Sequence, residues 1–274
     1  MNFLKQLSAR VDINGSLLCI GLDSDRAKIP RHLADSKTAV FDFNKAIIDA
    51  TNSWACAFKI NSAFYEADGA DGISQLKLTS DYLRQNYPDI PLILDAKRAD
   101  IGNTNDGYVK FAFDYLGAGA VTVNPYLGHE ALEPFLACSD KGIIILCRTS
   151  NPGGGELQDL KTSGKKLYQV VAGKVRDEWN VHGNCLLVAG ATYPAELAAL
   201  RRTMGDDFWF LVPGVGAQGG DIDSVVKAGV NSQRKGLIIN SSRQVIFASS
   251  GKDFALSAAR QARQTWELIN KARE

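Results

Sequence analysis

Eight short apolar runs recur along this chain. They lie at 17–23 (LLCIGLD), 54–60 (WACAFKI), 90–97 (IPLILDAK), 120–125 (AVTVNP), 142–149 (GIIILCRT), 185–191 (CLLVAGA), 209–215 (WFLVPGV) and 236–242 (GLIINSS). Longer stretches separate them, at 37–52, 62–86, 102–116, 129–139, 164–179, 194–203, 221–228 and 252–273. In these, apolar residues return every third or fourth position, as Leu167, Val170, Val171, Val175 and Trp179 do, which is the period of a helix with one buried face. Strands that are apolar throughout, rather than at alternate positions, belong to a sheet covered on both faces and hence parallel. Eight strand–helix units predict an α/β fold, a single (β/α)8 TIM barrel spanning 1–274. A doubly wound open sheet is the competing architecture.

Charge and cysteine usage narrow the function. The net charge is +1, so no global field favours nucleic acid or another polyanion, and an anion site must be built from local groups. Cys19, Cys56, Cys138, Cys147 and Cys185 show no Cys-x-x-Cys spacing, and all but Cys138 sit inside apolar runs, which reads as buried reduced thiols. Only His32, His129 and His182 could add imidazole ligands, and none has a metal-ligand spacing, so no metal is expected. The first residues lack the apolar core of a signal peptide, and no stretch approaches the ~20 apolar residues of a membrane span. The expectation is a cytoplasmic protein without membrane association.

The predicted strand ends carry the polar groups. They offer Asp23, then Lys59 and Asn61, then Asp95, Lys97 and Asp100, then Thr149 and Ser150, Gln218, and finally Ser241, Ser242 and Arg243. In an open sheet these scatter along an edge, whereas in a barrel they converge on one mouth. Asp95 and Lys97, two apart in a strand, share a face. Two lysines among three acids favour a fully ionised network, each sign holding the other charged. A lysine so held is a poor Schiff-base former but a good proton donor to a carbanion beside it. A carboxylate next to a bound anion repels it until the anion leaves as a neutral gas. Two glycine-rich loops, Ser150–Gly164 and Pro213–Gly220, follow strands; each could be a lid, a backbone cradle for phosphate, or a loose turn. These pieces fit metal-free decarboxylation of a phosphorylated anion, one option among several lyases.

The stretch Asp95-Ala96-Lys97-Arg98-Ala99-Asp100-Ile101-Gly102-Asn103-Thr104 resembles the signature Asp-x-Lys-x-x-Asp-Ile-x-x-Thr of the orotidine 5′-phosphate decarboxylases. The similarity runs over nearly the whole chain, through Gly21-Leu22-Asp23, Phe58-Lys59, Thr149-Ser150-Asn151-Pro152-Gly153, Pro213 to Gly220 and Arg243, and is closest to the longer bacterial subgroup. The resemblance implies conversion of orotidine monophosphate to UMP and CO2 in de novo pyrimidine synthesis, with no cofactor, by a homodimer with shared active sites. It implies that Lys97 protonates C6, that Asp95 lies beside the substrate carboxylate, and that Lys59 completes the network and touches the ribose. Asp100, Ile101 and Thr104 would reach into the neighbouring subunit's site. Asp23 would bind a ribose hydroxyl and Ser150, rather than Thr149, the pyrimidine edge. Pro213 would belong to the substrate-binding set, and Gln218, Gly220 and Arg243 would hold the phosphate.

Three alternatives share these residues. One is a Mg2+-dependent sugar-phosphate decarboxylase or aldolase on the same barrel, disfavoured by a lysine where extra acids would hold the cation. Another is a silent nucleotide-binding relative, which would be expected to have lost one of the four charged residues 59, 95, 97 or 100. The third is an ion network that only rigidifies the barrel, which desolvation makes a weak source of stability.

Overall fold

The computed structural model describes residues 2–215 and 220–274. Eight parallel strands close into a barrel: β1 (Leu18–Gly21), β2 (Ala57–Asn61), β3 (Leu92–Arg98), β4 (Ala120–Val123), β5 (Gly142–Arg148), β6 (Cys185–Ala189), β7 (Phe210–Val212) and β8 (Leu237–Ser241). Each pairs with its neighbours in chain order, and β8 closes on β1 with Leu18 opposite Ile239, Cys19 opposite Asn240 and Ile20 opposite Ser241. The open-sheet alternative is therefore excluded. The strands are buried on both faces, inside by interior side chains and outside by the helices, as runs such as Ile143, Ile144 and Ile145 require.

All eight expected strands form, with trimmed ends. Trp54 belongs to a 3-10 turn, Asn52–Trp54, and β2 starts at Ala57. β7 stops before Pro213, which has no N–H to donate to a ladder, and Gly214 then turns at φ +96. The helix expected over 62–86 is two, Ala63–Glu66 and Gly69–Asn86, the second opening on Gly69 at φ +60. The stretch expected as a helix from 164 begins instead with Lys165–Lys166 paired antiparallel to Lys161–Thr162, and the helix starts at Leu167. The glycine-rich segment after β5 is not a loose turn. It folds as a 3-10 turn, Pro152–Gly154, a helical turn, Gly155–Gln158, and that hairpin.

The sequence reading missed the helix Phe3–Asn14, which Asn2 caps by accepting the Lys5 N–H at 2.9 Å. Phe3 is buried across the strand starts. A Cβ on Gly142 would lie 2.4 Å from the Phe3 ring, so glycine is what lets this plug sit under the barrel, opposite the mouth where the polar strand ends gather.

Candidate active site

At the C-terminal ends of the strands lies a cavity of about 420 Å³, lined by Asp23, Lys59, Asp95, Lys97, Ser150, Pro213 and Arg243, together with Asn61, Thr149, Asn151 and Asn240. Its size is that of a small-molecule site. The floor is a charge cluster on β2 and β3. Lys59 Nζ donates to Asp95 Oδ2 at 3.0 Å and lies 3.5 Å from Asp23 Oδ1. Lys97 Nζ donates to the other oxygen, Asp95 Oδ1, at 2.7 Å.

Asp95 and Lys59 are 8% and 3% exposed, so neither charge is tolerable without the other. Burial alone would raise the Asp95 carboxyl, but the two lysines more than offset it and hold it well below the usual carboxylate range. Burial would likewise lower Lys59, yet Asp95 and Asp23 hold its ammonium above its ordinary value. Under this cluster the Cys19 thiol is pushed up to about 12 by burial and stays neutral.

The Asp95–Lys97 geometry is not that of a regular strand. The register between β3 and β4 shifts between Leu94 and Arg98, and Lys97 sits at φ +48, a left-handed conformation for a non-glycine residue. The kink turns the Lys97 side chain, half exposed, back over Asp95. Thr122, from β4, accepts the Lys97 N–H at 2.9 Å and donates to Asp95 Oδ1 at 2.8 Å.

Asp23 follows β1, and its loop is fixed from behind. Tyr65 Oη donates to Leu22 O at 3.0 Å, Asn44 Nδ2 donates to Tyr65 Oη at 2.9 Å, and Ser24 Oγ donates to Asn44 Oδ1 at 2.5 Å. Gly21 is required here, because a Cβ would strike Ser242 Oγ at 1.9 Å.

On the opposite wall, Thr149 is occupied internally. Its hydroxyl donates to Asn151 Oδ1 at 2.6 Å and accepts from Gln158 Nε2 at 2.8 Å. Ser150 Oγ has no hydrogen-bond partner among the described residues, which leaves it for a ligand. The folded segment after β5 is clipped by Arg148, a buried guanidinium 3.7 Å over the Tyr193 ring that donates to Gln158 Oε1 at 3.0 Å and Asp159 Oδ2 at 3.2 Å.

The expected site residues divide into three groups. Asp23, Lys59, Asp95, Lys97, Ser150, Pro213 and Arg243 meet around one cavity. Asp100, Ile101 and Thr104 do not. Asp100 accepts the Ile101 N–H at 2.7 Å instead of joining the cluster, and Ile101 is 60% exposed. Within this one chain, the acids beside the two lysines are Asp95 and Asp23. Gly220 lies beside the mouth, bridged to Val215, and Gln218 lies outside the described residues. Sequence reasoning missed Thr122, Asn240, Asn44 and Tyr65. Asn240 was legible as a polar side chain ending an apolar run, next to the strand-end serines already singled out.

Among the described residues, no three His, Cys, Asp or Glu side chains gather as a metal site would need, and no helix is long and apolar enough to cross a membrane. Both oxygens of Asp95 are already engaged by cations and a hydroxyl, a donor set that suits a cation poorly.

A family model described as "Orotidine 5'-phosphate decarboxylase / HUMPS family" matches residues 16–257. A Bordetella avium protein named orotidine 5'-phosphate decarboxylase is 49% identical over 274 residues, with all of both chains covered. One of the same name from Cellvibrio japonicus is 51% identical over 276 residues, again with full coverage of both. The solved Leishmania donovani OMP decarboxylase superposes with a TM-score of 0.87 at 37% identity, covering 100% of this chain and 99% of that one.

Proposed function

This chain belongs to the orotidine 5′-phosphate decarboxylase / HUMPS family, and from that premise we propose that its barrel-mouth cavity converts orotidine 5′-monophosphate to UMP and CO2. The activity is that of a carboxy-lyase of pyrimidine biosynthesis. The observation that carries the reading is the Asp95 carboxylate held ionised between Lys59 and Lys97 on the cavity floor. A substrate carboxylate placed beside Asp95 is repelled in the ground state, and the repulsion vanishes as neutral CO2 departs. The C6–carboxylate bond breaks, its electron pair stays on C6, and Lys97 delivers a proton there. Lys97 is charged and half exposed to the cavity, whereas Lys59 is buried and pinned by two acids, so Lys97 is the mobile donor.

Asp23, oriented by the buried Tyr65–Asn44 pair, takes a ribose hydroxyl, and Lys59 contacts the ribose from the floor. Ser150 offers its hydroxyl to the pyrimidine edge. Pro213 lines the substrate cavity, Gly220 and Arg243 take the phosphate end, where Arg243 supplies the positive charge, and Gln218, outside the described residues, is assigned to the phosphate with them. The chemistry needs no metal or cofactor. Asp100, Ile101 and Thr104 complete the site of a second subunit in a homodimer. The exposed Ile101, with Tyr126 at 80% and Leu127 at 49% exposure after the adjacent β4, supports a surface covered by a partner. We read 1–274 as one catalytic domain acting in the cytoplasm, where five unpaired cysteines are at home.

The test is the loss of orotidine monophosphate absorbance in EDTA by the wild type, Lys97→Ala and Asp95→Asn. Turnover in EDTA by the wild type alone is expected. An inert wild type that acts on sugar phosphates once Mg2+ is added would replace this reading with the metal-dependent one.

A further inference from the structure

Thr122 interrupts a strand otherwise made of alanine and valine, and it is 1% exposed. Its hydroxyl makes two contacts, 2.9 Å to the backbone nitrogen of Lys97 and 2.8 Å to Asp95 Oδ1. An N–H can only donate, so Thr122 Oγ1 is the acceptor on the Lys97 side. An ionised carboxylate can only accept, so the one hydroxyl proton points at Asp95. The rotor therefore has a single arrangement. It joins the backbone of the proton donor to the carboxylate beside which the donor works.

The location of this link matters. The β3–β4 ladder shifts register across residues 94–98, so the regular strand pairing that would hold Lys97 is missing where the left-handed kink occurs. Thr122 supplies a side-chain acceptor in its place. Its bond to Oδ1 also helps orient the carboxylate so that Oδ2 meets Lys59 and Oδ1 meets Lys97. We propose that Thr122 is a positioning residue for the decarboxylation: it holds the Lys97 kink and the Asp95 carboxylate in the one relation that puts the ammonium at the reacting carbon. The inference rests on the decarboxylase reading above.

The experiment compares steady-state kinetics on orotidine monophosphate and the affinity for UMP, which lacks the departing carboxylate, in the wild type, Thr122→Val and Thr122→Ser. Valine keeps the shape and loses the hydroxyl, while serine keeps the hydroxyl. Losing a hydrogen bond to a charged group predicts a kcat about 10- to 100-fold lower in Thr122→Val, with UMP affinity within about twofold of wild type. Thr122→Ser should recover most of the rate. A Thr122→Val kcat equal to wild type overturns the proposal, as does a serine variant no better than valine. A parallel loss of UMP affinity and kcat also overturns it, because that would mark a merely structural side chain. If Thr122→Val does not fold, Thr122→Cys, of similar shape with a weak donor, carries the same comparison against serine. A wild type that leaves orotidine monophosphate untouched removes the decarboxylase reading itself, whereas an active wild type with unimpaired variants removes only the role of Thr122.

Discussion

Gly190 stands so close to Ser150 that a Cβ on it would lie 2.7 Å from both the Cα and the backbone nitrogen of Ser150. The end of β6 thus acts as a gauge that sets how far the Ser150 hydroxyl projects into the cavity. Gly190→Ala is predicted to push Ser150 inward while the barrel stays folded. Overpacking of this kind costs about 1–3 kcal/mol of stability, and displacement of Ser150 should lower kcat/KM for orotidine monophosphate. Steady-state kinetics with a circular dichroism melt checks both halves, and unchanged kinetics would remove Ser150 from the pyrimidine contact.

Lys97 and Asp95, the two charged groups of the proposed chemistry, should respond differently to mutation. Lys97 is 49% exposed, so Lys97→Ala should cost below about 1 kcal/mol of stability while lowering kcat at least about a hundredfold, the lower range for a lost general acid. Asp95→Asn should also abolish turnover, but it leaves the buried Lys59 with only Asp23 at 3.5 Å. Removing one partner of a buried pair costs about 3–5 kcal/mol, so this variant should melt well below Lys97→Ala. Parallel thermal melts decide, and equal melting of the two variants would contradict the burial argument.

The pH profile of stability follows from the same pair. The Asp95 carboxyl is depressed in the fold, so its contribution is complete above the unfolded value of about 3.9 and is lost as pH falls below that. The Lys59 ammonium is raised, so its contribution is complete below the unfolded value of about 10.4 and is lost as pH climbs through its higher folded value. The cluster should therefore contribute a constant amount between about pH 5 and 9. Urea melts of wild type and Asp95→Asn across that window should differ by a constant, with the gap closing in acid. A difference that drifts with pH would show that the pair titrates inside the window.

Arg148 offers a prediction away from the chemistry. Its guanidinium joins Tyr193 to Gln158 and Asp159, and Gln158 in turn holds Thr149. Arg148→Met should keep the barrel and release the segment over residues 151–166, seen as faster limited proteolysis there. KM should rise several-fold, because Ser150 loses its support. Unaltered cleavage would mean that the hairpin holds itself.

The barrel was legible because its strands are buried on both faces, which writes eight uninterrupted apolar runs into the chain. Helix ends were less so. The break at Asp68–Gly69 was written locally, as an Asp-Gly pair of the kind that marks turns, whereas the plug formed by Phe3 depends on Gly142, 139 positions later, so no local pattern announces it. At the site, Lys59, Asp95 and Lys97 could be named because charges at the ends of apolar strands are conspicuous. Asp100 shares a short stretch with them, and after the Lys97 kink the chain carries it out of this chain's own cavity lining. Asp23 comes to Lys59 from another strand, a contact that closure of the barrel creates and spacing along the chain does not state. Thr122 stayed hidden because one threonine in a β strand is unremarkable until its neighbours are known.

Asp23 and Asp95 each stand 36 residues from Lys59, one strand–helix unit to either side. Within β3 alone Asp95 already meets Lys97; β2 adds Lys59 at 3.0 Å, and the loop after β1 adds Asp23 at 3.5 Å from Lys59. Desolvating Lys59 is costly, and both of its acids are present only when three consecutive units are in place. The charge cluster therefore ties three successive strand–helix units together, so the groups at the mouth also lock β1, β2 and β3 side by side.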